Sequence, residues 1–448
     1  MSHPDTTDLP RAEERGLLSQ LQLDSRLLGM ICAFAVICCA FQLWTGFRAT
    51  GSANPLAWIT GGRFLIPQNI FNIANQTVSV AIMATGMVFV IVTRHIDLSV
   101  GSILAVCSAV MGILQVSILP KVMGFAIGDP MIAPIAILAG LLTGTLVGAL
   151  NGWLIGYQAI PAFIVTLGGL LIWRNLGWYI TSGQTQGPLD ANFLLFGGAG
   201  GTLYPTASWI IGIIACAASL YALMRARANK ARHGFGLKPL WAEWVIAGAI
   251  CLGILGFIAI LNSYSVPTGR LARDFAARGE VMPDGYSIGY GLPISVLVLV
   301  VVAIIMTIIA KRMRFGRYIF ATGGNPDAAE LSGINTRLLT VKIFALMGFL
   351  CALSAIVAQA RLQSHANDIG TLDELRVIAA AVIGGTALSG GIGTIHGAIL
   401  GALIMQSLQS GMAMVGVDSP FQNIVVGIVL ALAVWIDIQY RKKKGIRS

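Results

Sequence analysis

Few residues of this 448-residue chain have types and spacings that support chemistry, and their surroundings are apolar. Arg94, His95, Asp97 and Ser99 fall within six positions. They offer a charged switch or a polar step in a permeation path. The plain reading is an interfacial salt bridge, with Asp97 and Ser99 capping the next helix through its free first-turn N–H groups. Arg174 stands beside Trp173 and Trp178 in an apolar run. A cation at bilayer depth is costly and marks a site by default; the alternative is snorkelling to the headgroups within an aromatic belt. Thr386, Ser389 and His396 lie in the glycine-dense run GGTALSGGIGTIHGAILG, which begins at Gly384. A lone histidine such as His396 bonds a neighbouring carbonyl more often than it carries protons. Asp97, Ser99, Arg174, Thr386, Ser389 and His396 are therefore the candidates for a translocation pathway. Catalysis has no such candidates: there is no Gly-x-x-x-x-Gly-Lys-Ser/Thr loop, no zinc spacing and no Ser-His-Asp set with local context. The chain reads as no enzyme and binds no metal or cofactor. If ATP and Mg drive it, another chain must hold them.

The elements that position these residues follow from composition. The chain is 56% hydrophobic and 11% charged, against roughly 25% charged residues in a soluble domain. It is an all-α, polytopic integral membrane protein. Crossing about 30 Å of hydrocarbon takes about 20 apolar residues. On that ruler spans fall near 27–45, 75–93, 100–119, 132–156, 161–180, 209–224, 244–261, 293–310, 343–360, 377–390, 394–410 and 422–438. That makes about twelve, within a range of 10–14. The pair over 377–410 is short and glycine-rich, and reads equally as re-entrant or broken helices. The domain plan is a polar tail at 1–26, a transmembrane domain at 27–438 and a basic tail at 439–448. The first span is uncleaved, because its polar lead and its core are both too long for a signal peptide. Seven cysteines all lie in apolar segments and serve as small packing residues.

The net charge of +10 concerns topology rather than nucleic acid. Arg225, Arg227, Lys230, Arg232 and Lys238 share one loop. Lys311, Arg312, Arg314, Arg317, Arg337 and Lys342 share another, and Arg441 to Lys444 with Arg447 end the chain. Arg11, Arg15, Arg26 and Arg94 join them if the spans alternate. By the positive-inside rule that face, with both termini, is cytoplasmic, and the terminal cations meet lipid headgroups.

The most polar insert between two spans is Lys311–Lys342. Asn325 can cap a helix, Pro326 suits its first position, Asp327 and Glu330 favour its positive end, and Gly333 suits a left-handed stop. A helix of about two turns is too short to stand alone and needs a surface to dock on.

Gly324, Asn325, Pro326, Asp327, Ala328, Ala329, Glu330, Ser332 and Gly333 carry a resemblance. Asp327-Ala328-Ala329 followed by Gly333 resembles the EAA loop of ATP-binding-cassette import permeases, with Asp in place of Glu. The string Gly323-Gly324-Asn325, Ala328-Ala329, Leu331-Ser332-Gly333-Ile334 is similar to the monosaccharide branch. So are Ile96-Asp97-Leu98-Ser99-Val100-Gly101-Ser102 and Pro161–Gly168, where Thr166 and Gly168 would let helices approach. The resemblance implies that the nine loop residues couple to a cytoplasmic ABC ATPase, which holds ATP and Mg. It also implies a periplasmic sugar-binding protein, a second permease copy forming a homodimer, and a bacterial inner-membrane location. Because the binding protein supplies selectivity in that family, no deep polar sugar site is required. The spans at 209–224 and 244–261 are an added pair similar to that of D-xylose permeases, so D-xylose is the expected cargo. A branched-chain amino-acid permease shares the architecture and remains the alternative. A secondary transporter would need paired charges at mid-bilayer, and a channel would need a filter. One internal echo stands out: residues 97–103 against the Leu388–Ile395 stretch, as in transporters built from repeats.

Overall fold

A helix apolar on every side belongs among other helices, and the run from Asn75 to Val92 is of that kind. A computed structural model of the chain describes residues 25–51, 54–234 and 237–443. In it, α1 (Ser25–Thr50) and α2 (Pro55–Gly61) lead to α3 (Pro67–Val92), whose residues from Thr77 to Val92 are all buried. Then come α4 (Val100–Ile113), continuing as a π-helix over Leu114–Val122, α5 (Ile132–Gly156), α6 (Ala162–Thr181) and the single turn α7 (Ala191–Leu194). The pair α8 (Tyr204–Arg232) and α9 (Leu240–Ser263) precedes the short α10 (Thr268–Ala277) and α11 (Ile294–Arg312). The polar insert folds as α12 (Arg314–Gly324) and α13 (Pro326–Leu331). The chain closes with α14 (Thr336–Leu362), α15 (Asp373–Ile383), α16 (Ile395–Val415) and α17 (Ser419–Lys443).

Among the described residues ten helices are long and apolar enough to cross a membrane, and none of these residues forms a named strand. The protein is an all-α, multi-pass membrane protein. Ten of the predicted spans match these helices, although α3 begins eight residues before the predicted start at 75. The exception is the span expected at 377–390. Here α15 stops at Ile383, and turns occupy 384–394. Its eleven residues rise only about 16 Å at 1.5 Å each, half a crossing. The span expected at 422–438 lies within α17, whose apolar part is short. The tail at 1–26 lies almost wholly outside the described residues, as do Lys444 and Arg447 of the basic tail. Most of the cations assigned to the loop after 224 are instead on α8, which runs to Arg232.

Hydroxyl and amide groups pin α3 to its neighbours. Ser354 Oγ donates to the Ser79 carbonyl at 2.8 Å, Ser295 Oγ to Asn75 Oδ1 at 2.7 Å, and Ser410 Oγ to Asn69 Oδ1 at 2.9 Å. A second seam joins α5 to α14. Gly144, Gly148, Gly152 and Gly156 recur every four residues along α5. A Cβ at each would strike the backbone of α14, at Gly348, Phe344, Val341 and Arg337 in turn. Backbones this close replace side-chain packing between the helices.

The hairpin of α8 and α9 stands apart. Arg227 pairs with Glu243 at 2.8 Å, and Gly212 receives Ile258. Most of both helices is exposed.

Candidate functional site

Asn325 caps α13 as its side chain suggests: Oδ1 accepts from the Ala328 N–H at 3.1 Å. Pro326 holds the first position, and Gly333 stops the helix at φ +83°. Ser332 Oγ donates to the Ala328 carbonyl at 2.7 Å, and Thr336 bonds the Glu330 carboxylate. Asp327, Ala328, Glu330 and Ser332 are exposed. Ala329 is not: only 4% accessible, it seats the helix on its own chain. The residue that sequence reasoning overlooked is Leu331, an apolar side chain 90% exposed on a polar end of the molecule. Its signal was a leucine at the solvent-facing position next to the stop.

This short helix is tied to the central one. Arg94, just past α3, donates from Nε to the Gly323 carbonyl at 3.1 Å and from Nη2 to the Gly324 carbonyl at 3.0 Å. The Gly391 N–H donates to the Val92 carbonyl at 2.9 Å. The end of α3, the coupling segment and the glycine-rich turns 384–394 therefore meet at one joint.

The expected salt bridge at 94–97 does not form, because Arg94 is engaged at that joint. Asp97 is fully buried, and its Oδ1 accepts from the Ser99 N–H at 2.8 Å and the Ser99 hydroxyl at 2.6 Å. Asn151 Nδ2 donates to the same hydroxyl at 3.2 Å. Asp97 thus shapes the start of α4 through a turn, with Oδ2 unpartnered among the described residues. Thr166 Oγ1 helps by bonding the Ile96 carbonyl at 3.3 Å. Gly168 faces open space; the close approaches on α6 are at the next residue, Gly169, against Ser99, and at Gly177, against Val106.

Thr386 is buried within the turns, Ser389 is exposed there, and His396 is exposed in the first turn of α16, at the start of that span. The structure does not bring these three, or Asp97 and Ser99, into one cavity.

Arg174 behaves differently. It lies twelve residues into α6, about 18 Å along a helix of about 30 Å, and turns inward. Its Nη1 donates to the carbonyls of Asn367 at 3.2 Å and Ile369 at 3.3 Å and to Thr371 Oγ1 at 3.1 Å. Those residues belong to the stretch between α14 and α15, which therefore dips to bilayer depth. Gly370 meets Gly101 there so closely that a Cβ on Gly101 would strike the Gly370 carbonyl and the Glu374 carboxylate. The start of α4, after the break 93–99, and the start of the short α15, after the break 363–372, therefore face each other.

Beside that contact is a cavity of about 250 Å³ between α3, α14, α15 and α16. Gln76, Arg361, Asp368, Asp373, Arg376 and Gln406 supply its polar wall, with Gln409. Arg376 pairs with Asp373 at 3.2 Å, and Gln406 Nε2 donates to Gln76 Oε1 at 2.7 Å. Arg361 and Arg174 lie within electrostatic reach of the Asp373 carboxylate. No aromatic ring lines it. Carboxylate acceptors, guanidinium donors and amides of both kinds suit a neutral solute rich in hydroxyls. This polar cavity was not anticipated from the sequence. It was hidden because the charges from Arg361 to Arg376 read as a surface loop between spans.

The family model described as branched-chain amino acid transport system / permease component matches residues 69–434. A xylose transport system permease protein of Haemophilus influenzae is 35% identical over 86% of this chain and 92% of its own length. That of Escherichia coli K12 is 35% identical over 86% and 88%. A ribose import permease protein of Escherichia coli K12 is 32% identical over 84% and 87%. No solved structure matches.

Proposed function

The chain belongs to the family of permease components of branched-chain amino acid transport systems, and from that premise we propose that it is the translocating subunit of an ABC importer for D-xylose. It sits in a bacterial inner membrane with both termini cytoplasmic. The observation that carries the sugar reading is the cavity between α3 and α15. It has a mostly polar wall, with Val80, Ala358, Leu362 and Ile369 between the polar groups, is charge-balanced by its Asp and Arg residues, and is large enough for one pyranose. A path must bind weakly enough to release, and a wall without stacking rings suits that need.

The chain itself binds no ATP. A cytoplasmic ABC ATPase holds ATP and Mg and docks on α13, with Asp327, Glu330, Leu331 and Ser332 facing it. A periplasmic sugar-binding protein delivers the cargo, and a second copy completes the pore. Displacement of α13 reaches Gly323 and Gly324, then Arg94 and Val92, then Gly391. The turns 384–394 follow directly from α15, so the push arrives at Asp373 and Arg376. The cavity wall then moves with the ATPase cycle.

Deleting the gene and measuring uptake of labelled xylose, ribose, arabinose, galactose and leucine tests the assignment. Xylose uptake alone should fall. Intact xylose uptake with loss of another sugar overturns the cargo and spares the class. Loss of leucine uptake alone overturns both.

A further inference from the structure

A second cavity, of about 540 Å³, lies away from the polar one, between α1, α3, α9, α11 and α16. Phe64, Leu65, Ile73, Phe257, Leu299 and Leu403 are among the apolar groups that line it. Its two flanking walls are anchored separately. On one side, Gln42 Nε2 donates to the Ile59 carbonyl at 2.8 Å, the Leu65 N–H donates to Gln42 Oε1 at 2.9 Å, and Phe41 stacks on Phe64 at 5.5 Å. These contacts fix α1 to the turn before α3. On the other side, α9 is held by α8 through the Arg227–Glu243 pair and, at its far end, by Leu261 and Tyr264 against Phe71 of α3. The α9 wall is bare: a Cβ at Gly253 or Gly256 would meet nothing within 4 Å. No side chain of either wall closes the gap.

Water does not fill an apolar cavity, which lacks the partners it needs. The solvent around these helices is hydrocarbon. At the end of the cavity formed by Phe64 and Leu65, the adjacent Arg63 is exposed, where a cation can meet a phosphate. We propose that this cavity holds an acyl chain of a bound membrane phospholipid, with its phosphate at Arg63, so that the lipid becomes the packing between the α8–α9 hairpin and the transporter body. The two long walls belong to one chain, which favours a slender occupant over a helix of a second copy.

Native mass spectrometry of the full chain purified in mild detergent tests this. The unaltered chain is expected to retain one phospholipid per chain. Gly256→Phe, whose Cβ meets nothing within 4 Å and whose ring occupies the gap, should abolish retention while leaving the melting temperature and oligomeric state unchanged. Arg63→Gln should weaken retention of anionic phospholipid about tenfold, the worth of one charge-assisted hydrogen bond. Equal lipid counts in the unaltered chain and Gly256→Phe overturn the proposal. So does a change of oligomeric state in Gly256→Phe with lipid unaffected, which would make a second copy the occupant. Should the variants fail to fold, a phospholipid with a photoreactive acyl chain is applied to the unaltered chain in membranes. Crosslinks on Phe64–Thr77 and on Leu252–Ile260 support the site; crosslinks confined to other segments overturn it.

Discussion

Arg94 reaches across the end of α3 to the carbonyl of Gly323, at 3.1 Å, and so fastens the central helix to the segment that carries α13. Its own backbone adopts φ +64°, a conformation that costs a non-glycine residue about 1 kcal/mol. Arg94→Ala and Arg94→Gly both delete the side-chain bonds, but only glycine relieves the backbone. Both variants should insert normally and bind the ATPase, while transport falls about tenfold, since a charge-assisted bond is worth about 1.5–3 kcal/mol. The alanine variant should melt below the glycine one. Full transport in either would show that the joint does not carry force.

Leu331 should be the anchor of the docking face. An exposed apolar side chain ringed by polar ones marks an interface centre. Leu331→Asp is expected to lower co-purification of the ATPase at least tenfold with no change in the melting temperature of the permease. Ala329→Leu should instead lower that temperature, because it overpacks the seat of α13 by about 1–3 kcal/mol. If Ala329→Leu alone impairs docking, the two faces have been assigned the wrong way round.

The polar cavity predicts its own pattern. Removing Asp373 takes from the half-buried Arg376 its partner at 3.2 Å and leaves the cavity wall with a surplus of positive charge. Asp373→Ala should cut xylose uptake strongly, and Gln406→Leu should do so mildly, with membrane levels unchanged. Uptake initial rates in vesicles distinguish this from misfolding. Unimpaired rates in Asp373→Ala would remove the cavity from the path.

Asp97 invites the opposite expectation. Its working oxygen accepts two bonds from Ser99, and an asparagine offers the same acceptor without a charge. Asp97→Asn should therefore match the parent in stability and transport, whereas Asp97→Ala should lose about 1–3 kcal/mol by stranding the Ser99 donors. A transport defect in the asparagine variant alone would assign the negative charge a role in permeation.

Gly101 offers a test of the contact between the starts of α4 and α15. A methyl there collides with the Gly370 carbonyl and Glu374. Gly101→Ala should destabilise by about 2–4 kcal/mol, in the range for overpacked or strained positions. Thermal melting in detergent reads the loss directly.

The long crossings were legible in the sequence because twenty apolar residues have few other places to go. The cap at Asn325 and the stop at Gly333 were legible because each rests on local backbone chemistry. What stayed hidden is non-local. Arg361, Asp368, Asp373 and Arg376 look like an ordinary polar loop until Arg174, almost two hundred positions earlier, supplies the donors that let their backbone lie at bilayer depth. The burial of Ala329 and the exposure of Leu331 differ by two positions on one short helix, and no periodicity can be read from so few residues. The family resemblance reached the coupling segment through its letters, whereas the cavity has no contiguous motif to carry one.

The glycine seam between α5 and α14 bears on which parts of the molecule can move. Side chains act as bearings: they change rotamer, and the helices they separate can slide. Between Gly148 and Gly348 no such bearing exists, since backbone rests on backbone. A shift along the axis or a turn about it would drive the next residue into the facing helix. The pair is therefore a stator. Whatever opens and closes around a solute must pivot against it; α15 is locked in the same way to α16, where a Cβ at Gly401 would strike the Ala380 carbonyl, so those two helices can move only as one piece.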